Sequence, residues 1–208
     1  SIEKTEVEFN KKALKDETSI LSHWAELCQD LGNTFTNQEF CDVKLLCQDK
    51  TFGCHAVILS MRSSVFKTMF ASEMREKKRK EVIIENFSVR VVSMMLTFIY
   101  TGSCDVNEHP EMAEELFRIA DMYDLPSLRN LCMYPIMFSL DVKNCLRLLA
   151  FGDLNKAETL KETALEMVKE NMARIVETDA WKTFSKDYSD LTVEVTKRLF
   201  NSKLNIGK

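Results

Sequence analysis

Residues that interrupt regular structure are scarce in this chain. Five glycines and three prolines in 208 residues are too few for a collagen-like, linker-rich or disordered polypeptide. The glycines, at positions 32, 53, 102, 152 and 207, are scattered, so no glycine-rich loop is present to cradle a phosphate at a helix start. Long apolar runs are missing too. The most apolar stretch, Val91 to Tyr100, is ten residues long, about half of the ~20 needed to cross a bilayer, and reads as a buried helix. No signal peptide opens the chain, and a start at Ser1 is expected of a fragment or processed product.

Metal-binding residues are equally sparse. The only histidines are His23, His55 and His109, and the seven cysteines, at 28, 41, 47, 54, 104, 132 and 145, include no Cys-x-x-Cys pair. They do not offer four zinc ligands at suitable spacing, and no metal or other cofactor is expected. An odd cysteine count without such pairs points to reduced thiols inside the cell, in the nucleus and/or cytoplasm. A net charge of −4 lacks the concentrated positive face on which nucleic-acid binding depends. Neither nucleic acid nor membrane is an expected partner.

What is present is a foldable, helix-rich pattern: 45% hydrophobic and 29% charged residues, enough to bury roughly 70% of the unfolded surface. Residues 1–19 are charged, with one short strand-like alternation at Thr5, Val7 and Phe9. Ile20, Trp24, Leu27, Cys28 and Leu31 then recur at helical spacing, with Gly32 expected as a C-terminal cap. The β-rich segments CDVKLLC and TFGC, between Cys41 and Cys54, predict a hairpin turning at Gln48, Asp49 and Lys50. Ala56 to Phe70 predicts one or two short helices, and Glu81 to Glu85 a strand. Val91, Val92, Met95, Leu96 and Ile99 mark a buried helix ended by Gly102.

Pro110 can open a helix with Leu116, Ile119, Ala120 and Tyr123 on one face. Its successor starts near Pro126 and is expected to kink or end before Pro135. From Asp141 onward the pattern is purely helical, through Val142, Cys145, Leu146 and Leu149, then Leu154, Ala157, Leu160, Ala164 and Val168, then Trp181. The expected fold is therefore α+β and mostly helical, with a tail at 1–19, a mixed module at 20–138 and an all-helical module at 139–208.

Cys54 beside His55 raises the question of a nucleophile and its base. Adjacent strand residues point to opposite faces, so these two cannot form a dyad with each other. No Gly-x-Ser-x-Gly elbow supports a serine triad either. Cys54 reads as a small core residue and His55 as a structural hydrogen-bonding residue. No enzyme activity is expected.

FCDVKL, FGCHAVILSMRSSVFKTMF, VIIENFS and FIYTG resemble the BTB/POZ domain, with Asp42, His55, Leu59, Ser63, Phe66, Phe70 and the Tyr100, Thr101, Gly102 run at its hallmark positions. The likeness continues through LFRIADMYDLPSLRNLC, NCLRLLAFGDLNKAETLKETALEMV and TDAWKTF, and covers about 190 of the 208 residues. These later stretches look most like speckle-type POZ proteins. The resemblance implies a BTB/POZ fold of helices around a small mixed sheet, followed by a BACK/3-box helical module. It also implies a substrate adaptor of a cullin-3 ubiquitin ligase, dimerising through Leu27, Leu31 and Ile58 and docking cullin-3 through Met74, Glu76, Tyr123 and Leu125. Substrates would be captured by a MATH domain, for which the stretch before residue 20 is too short; Thr5 to Phe9 would be its last remnant or a tail.

Departures from the family pattern have consequences of their own. Thr34 stands where speckle-type members carry a leucine of the dimer patch. Ala56 replaces the Lys or Arg that commonly pairs with Asp42, so that carboxylate must find other hydrogen bonds or lie exposed. Thr196 stands near a position where an aromatic residue supports a second self-association, which removes that anchor. The basic run Lys77, Lys78, Arg79, Lys80 fits a nuclear import signal or a charged loop that keeps a strand edge soluble. Two other classes compete: a BTB dimerisation module of a transcriptional regulator that recruits corepressors, and a plain oligomerisation module.

Overall fold

The computed structural model describes residues 2–71 and 80–205, and the side chains of residues 20–71 and 80–201. Two compact units divide the chain at Cys132 and Met133.

The first unit opens with a long helix, α1 (Ile2–Asn37). Thr5, Val7 and Phe9 lie within it, which overturns the strand reading. Three alternating positions are weak evidence against a segment of Glu and Lys, good helix formers, whose charges alternate at four-residue spacing (Lys4, Glu8, Lys12, Asp16). A hairpin follows, β1 (Val43–Cys47) and β2 (Lys50–Cys54), paired antiparallel. After α2 (Ala56–Arg62) and α3 (Ser64–Ala71) the chain returns as β3 (Glu81–Ile83), parallel to β1. The described sheet has the order β2-β1-β3. Val43, Leu45 and Cys47, at alternate positions, are buried, so the period-2 pattern sets which sheet face meets the core.

Helix α4 (Val89–Thr101) lies at the centre of this core, with Val91, Val92, Met95 and Leu96 fully buried. Ser88 caps its start by accepting from Val91 N–H, and Gly102, at φ 72°, closes it in the left-handed conformation that glycine adopts without strain. A 3₁₀ turn at Pro110–Met112 leads into α5 (Ala113–Met122), and α6 (Pro126–Phe138) follows.

Gly32 is not a cap. It lies inside α1, where an added Cβ would sit 2.9 Å from Cγ2 of Thr101 in α4. Thr101 cannot easily turn aside, because its hydroxyl donates to Thr97 O at 2.7 Å and accepts from Ser103 N–H at 3.1 Å. Glycine here is a packing residue that lets α1 approach α4. Gly32→Ala is therefore expected to destabilise the fold by about 1–2 kcal/mol through overpacking, despite alanine's advantage of about 1 kcal/mol in helix propensity. A higher denaturation midpoint for the variant would contradict this reading.

Pro135 does not end its helix. α6 continues to Phe138, and Pro135 O accepts Ser139 N–H at 3.1 Å; only the hydrogen bond that a proline N–H would have donated is lost.

The second unit contains α7 (Cys145–Leu154), α8 (Glu158–Glu170), α9 (Met172–Ile175), α10 (Asp179–Asp187) and α11 (Ser189–Asn205). Its core gathers Cys145, Leu149, Ala164, Leu165, Val168, Phe184 and Val195. Arg198 of α11 reaches Glu162 of α8 at 2.7 Å, and Lys161 of α8 bridges Asp153 and Glu194 at 2.8 and 3.0 Å. Leu154 departs from its expected place on the buried face and is 78% exposed at the end of α7. The helix terminates there, so periodicity no longer determines where that side chain points.

Candidate functional site

Two places in the first unit bring the sequence-predicted residues together. The first is an apolar groove of about 280 Å³ in which α1 supplies Trp24, Leu27 and Leu31, α2 supplies Ile58 and Met61, and α4 supplies Tyr100. Trp24, Leu27 and Leu31 fall on one face of α1 because they are three and four residues apart. Their exposure is the informative feature: Leu27 is 48% exposed, Trp24 61% and Met61 79%. Ile20 and Leu21, also exposed, prolong the stripe by a turn. A contiguous apolar surface of this kind marks an interaction site rather than ordinary surface.

Tyr100 holds the groove's floor in register. Its ring stacks on Phe35 of α1 at 4.7 Å. Its hydroxyl oxygen accepts His55 N–H at 2.9 Å and lies 2.7 Å from His55 Nδ1, while His55 Nε2 is 2.6 Å from the main-chain carbonyl of Glu39. A carbonyl only accepts, which assigns the proton to Nε2; Nδ1 then accepts from the tyrosine hydroxyl. The end of α1, the exit of β2 and α4 are tied together by one imidazole. Burial pushes the Tyr100 phenol well above its usual range.

Cys54 lies in the same neighbourhood, fully buried, with its thiol pushed up to about 12 by desolvation. A thiol so disposed is not a thiolate at neutral pH and lacks nucleophilic character. Asp42 finds its partner without a Lys or Arg: the exposed carboxylate accepts the Ala56 N–H at 2.8 Å, capping α2 from a distance in sequence.

The second place is the turn between α5 and α6. Ser63, buried between α2 and α3, donates its hydroxyl to Tyr123 O at 2.6 Å and accepts Phe66 N–H at 3.1 Å. The Tyr123 ring stacks on Phe66 at 4.5 Å, and burial pushes its phenol up to about 12. Asp124, at φ 51°, accepts a short hydrogen bond from Ser64 Oγ. The start of α3 is thus bolted to this turn by two serines, one bonded to a main-chain carbonyl and the other to the Asp124 carboxylate. Among the described residues, no three His, Cys, Asp or Glu side chains gather closely enough to hold a metal ion, and no helix is long and apolar enough to cross a membrane.

The BTB/POZ domain profile matches residues 31–139. This chain belongs to the BTB/POZ domain family. Over 191 residues, 92% of its length, this BTB/POZ chain is 33% identical to TD and POZ domain-containing protein 1-like of Mus musculus, covering 51% of that protein. It is 29% identical over 195 residues to Kelch repeat and BTB domain-containing protein 2 of Pongo abelii, covering 93% of this chain and 30% of that one. It therefore spans about half the length of the curated mouse relatives it matches. Among solved structures, the BTB domain of zebrafish PATZ1 is similar at 27% identity and a TM-score of 0.48, over 56% of this chain and 93% of that chain.

Within the BTB unit, Leu27, Leu31 and Ile58 line one groove. Tyr123 and Leu125 are 4% and 3% exposed. They lie in the core rather than on the surface, because the ring is drawn onto Phe66 and the turn folds back through Leu125 N–H to Ala120 O at 2.8 Å. Neither side chain presents appreciable area at the surface. Met74, Glu76, Lys77, Lys78 and Arg79 lie outside the described residues; Lys80 is exposed, and its carbonyl accepts Lys44 N–H at 2.8 Å. Sequence reasoning missed the Ser63–Tyr123 and Ser64–Asp124 ties. A paired serine at the junction of two short helices is the local signal that could have suggested a cap.

Proposed function

We propose that this BTB/POZ chain is a non-enzymatic substrate adaptor of a cullin-3 ubiquitin ligase, of the speckle-type POZ kind. It acts as a homodimer closed over the groove of Trp24, Leu27, Leu31 and Ile58. The observation that carries the reading is that groove: an uncovered apolar face, built from residues on three helices, on a domain whose family serves protein interaction. Self-complementary burial of such a face by a two-fold operation is the simplest way to cover it.

In this reading residues 20–138 form the BTB module and 139–208 a BACK/3-box module that extends the docking surface. Met74 and Glu76 contact cullin-3 near the turn shaped by Tyr123 and Leu125, and substrates are held by a MATH domain outside this chain. The chain works in the nucleus and/or cytoplasm, with Lys77 to Lys80 as its import signal. Kelch repeats accompany a BTB domain in one relative, which supports the pairing of such a module with a separate substrate receptor.

Titrating the cullin-3 amino-terminal domain against the purified chain, with mass followed by light scattering, tests the proposal. Two cullin fragments per dimer are expected. Met74→Ala with Glu76→Lys is expected to abolish the complex without lowering the melting temperature. Undiminished binding would reject those contacts, and a dimer indifferent to the cullin fragment would reject the adaptor reading.

A further inference from the structure

We propose that the helical unit carries a separate docking groove for a short amphipathic helix with carboxylates along one edge. The groove, about 530 Å³, runs between α7 and α10. α7 contributes Leu146, Ala150 and Leu154; Ala180 and Phe184 come from α10, and Tyr188 is the residue that follows its end. Both sets are spaced at i, i+4 and i+8, so each wall is a ladder about 12 Å long, a little over two helical turns. Two ladders with a hollow between them present the ridges that the apolar face of a third helix packs against.

The floor belongs to the unit's own core, since Leu146, Ala150 and Phe184 are nearly buried. The rim does not: Leu154 is 78% exposed and Tyr188 42%. Leu154 adds little to the fold, and Tyr188, whose ring packs on Phe184 at 5.3 Å, keeps an open edge; both offer apolar area to an occupant.

Charge selects the kind of occupant. Lys143, in the turn that leads into α7, and Arg147, in its first turn, line the groove at the helix's positive end. The only acid in the lining is Asp187, on the α10 wall. On a chain of net charge −4, a cationic edge on an otherwise apolar groove discriminates between partners, favouring carboxylates that fall on the α7 side. An occupant with basic residues there would be repelled. The groove shares no residue with the BTB groove or with the Met74 and Glu76 contacts, so failure of the peptide test and failure of the cullin titration are distinguishable.

The test uses the full chain and two synthetic fluorescein-labelled peptides of about four helical turns. One carries leucines at i, i+4 and i+8 flanked on one side by glutamates, and the other has each glutamate replaced by lysine. By fluorescence anisotropy at low salt, the acidic peptide is expected to bind at least about tenfold more tightly, with the difference shrinking as salt is added. Leu154→Asp is expected to weaken it, and Lys143→Glu, alone and with Arg147→Glu, to remove the preference for acid. Leu27→Asp with Leu31→Lys is expected to leave peptide binding unchanged, which separates this groove from the dimer face. Equal binding of both peptides, binding of neither, or indifference to Leu154→Asp and Lys143→Glu would overturn the proposal. So would a drop in particle mass on Leu154→Asp, which would show that a second copy fills the groove.

Discussion

Replacing Leu27 by Asp together with Leu31 by Lys is expected to turn the proposed dimer into monomers while leaving the melting temperature nearly unchanged. Leu27 is about half exposed and Leu31 partly exposed in the single chain, so the substitutions remove little intramolecular packing. At a covered interface the same positions exchange burial worth roughly 1.5–3 kcal/mol per leucine for charges that must be desolvated. Two-fold symmetry places each change in the contact twice. A loss of even about 3 kcal/mol is more than a hundredfold in dissociation constant. Mass by light scattering across a dilution series reads the result directly, and a dimer that survives dilution to the same concentration as the parent chain would refute the groove as the interface.

Tyr100→Phe is expected to lower stability by about 2–4 kcal/mol, a large effect for the loss of one oxygen atom. The ring would keep its place on Phe35, so packing is retained. His55, itself only 8% exposed, would lose partners for both its N–H and its Nδ1, and each buried polar group left unpaired costs about 1–3 kcal/mol. For a chain of this length that corresponds to a fall of roughly 4–16 °C in melting temperature. Calorimetry of the variant decides the matter: a shift within a degree of the parent would mean that the histidine is not held by this hydroxyl. Because Tyr100 also lines the apolar groove, a modest weakening of self-association should accompany the thermal effect, smaller than that of the α1 double variant.

How far the sequence reaches can be judged residue by residue. The α1 stripe, the buried helix ending at Gly102 and the hairpin were all legible, because each depends on spacing within one element or on one residue's backbone freedom. Asp42 shows the limit. Its lack of a basic partner was visible, but the amide that satisfies it belongs to Ala56, fourteen positions away and brought close only by the hairpin. Tyr123 was legible as part of the apolar face with Leu116, Ile119 and Ala120; its partner was not, since a single helical face does not reveal that Phe66 will stack on it.

By itself the sequence determined the class of this molecule: the apolar faces of its central helices, the hairpin, and the ordered series of BTB motifs, because all of these are carried by local spacing and residue type. Tertiary structure alone decided that Gly32 serves a helix crossing rather than a helix end, that His55 bridges Glu39 and Tyr100, and that Leu154 faces outward beside Tyr188. The physical reason is common to the three. Periodicity tells a side chain which way to point from its own axis, but the identity and distance of what it meets depend on how separate elements pack, and that is set by the whole core at once.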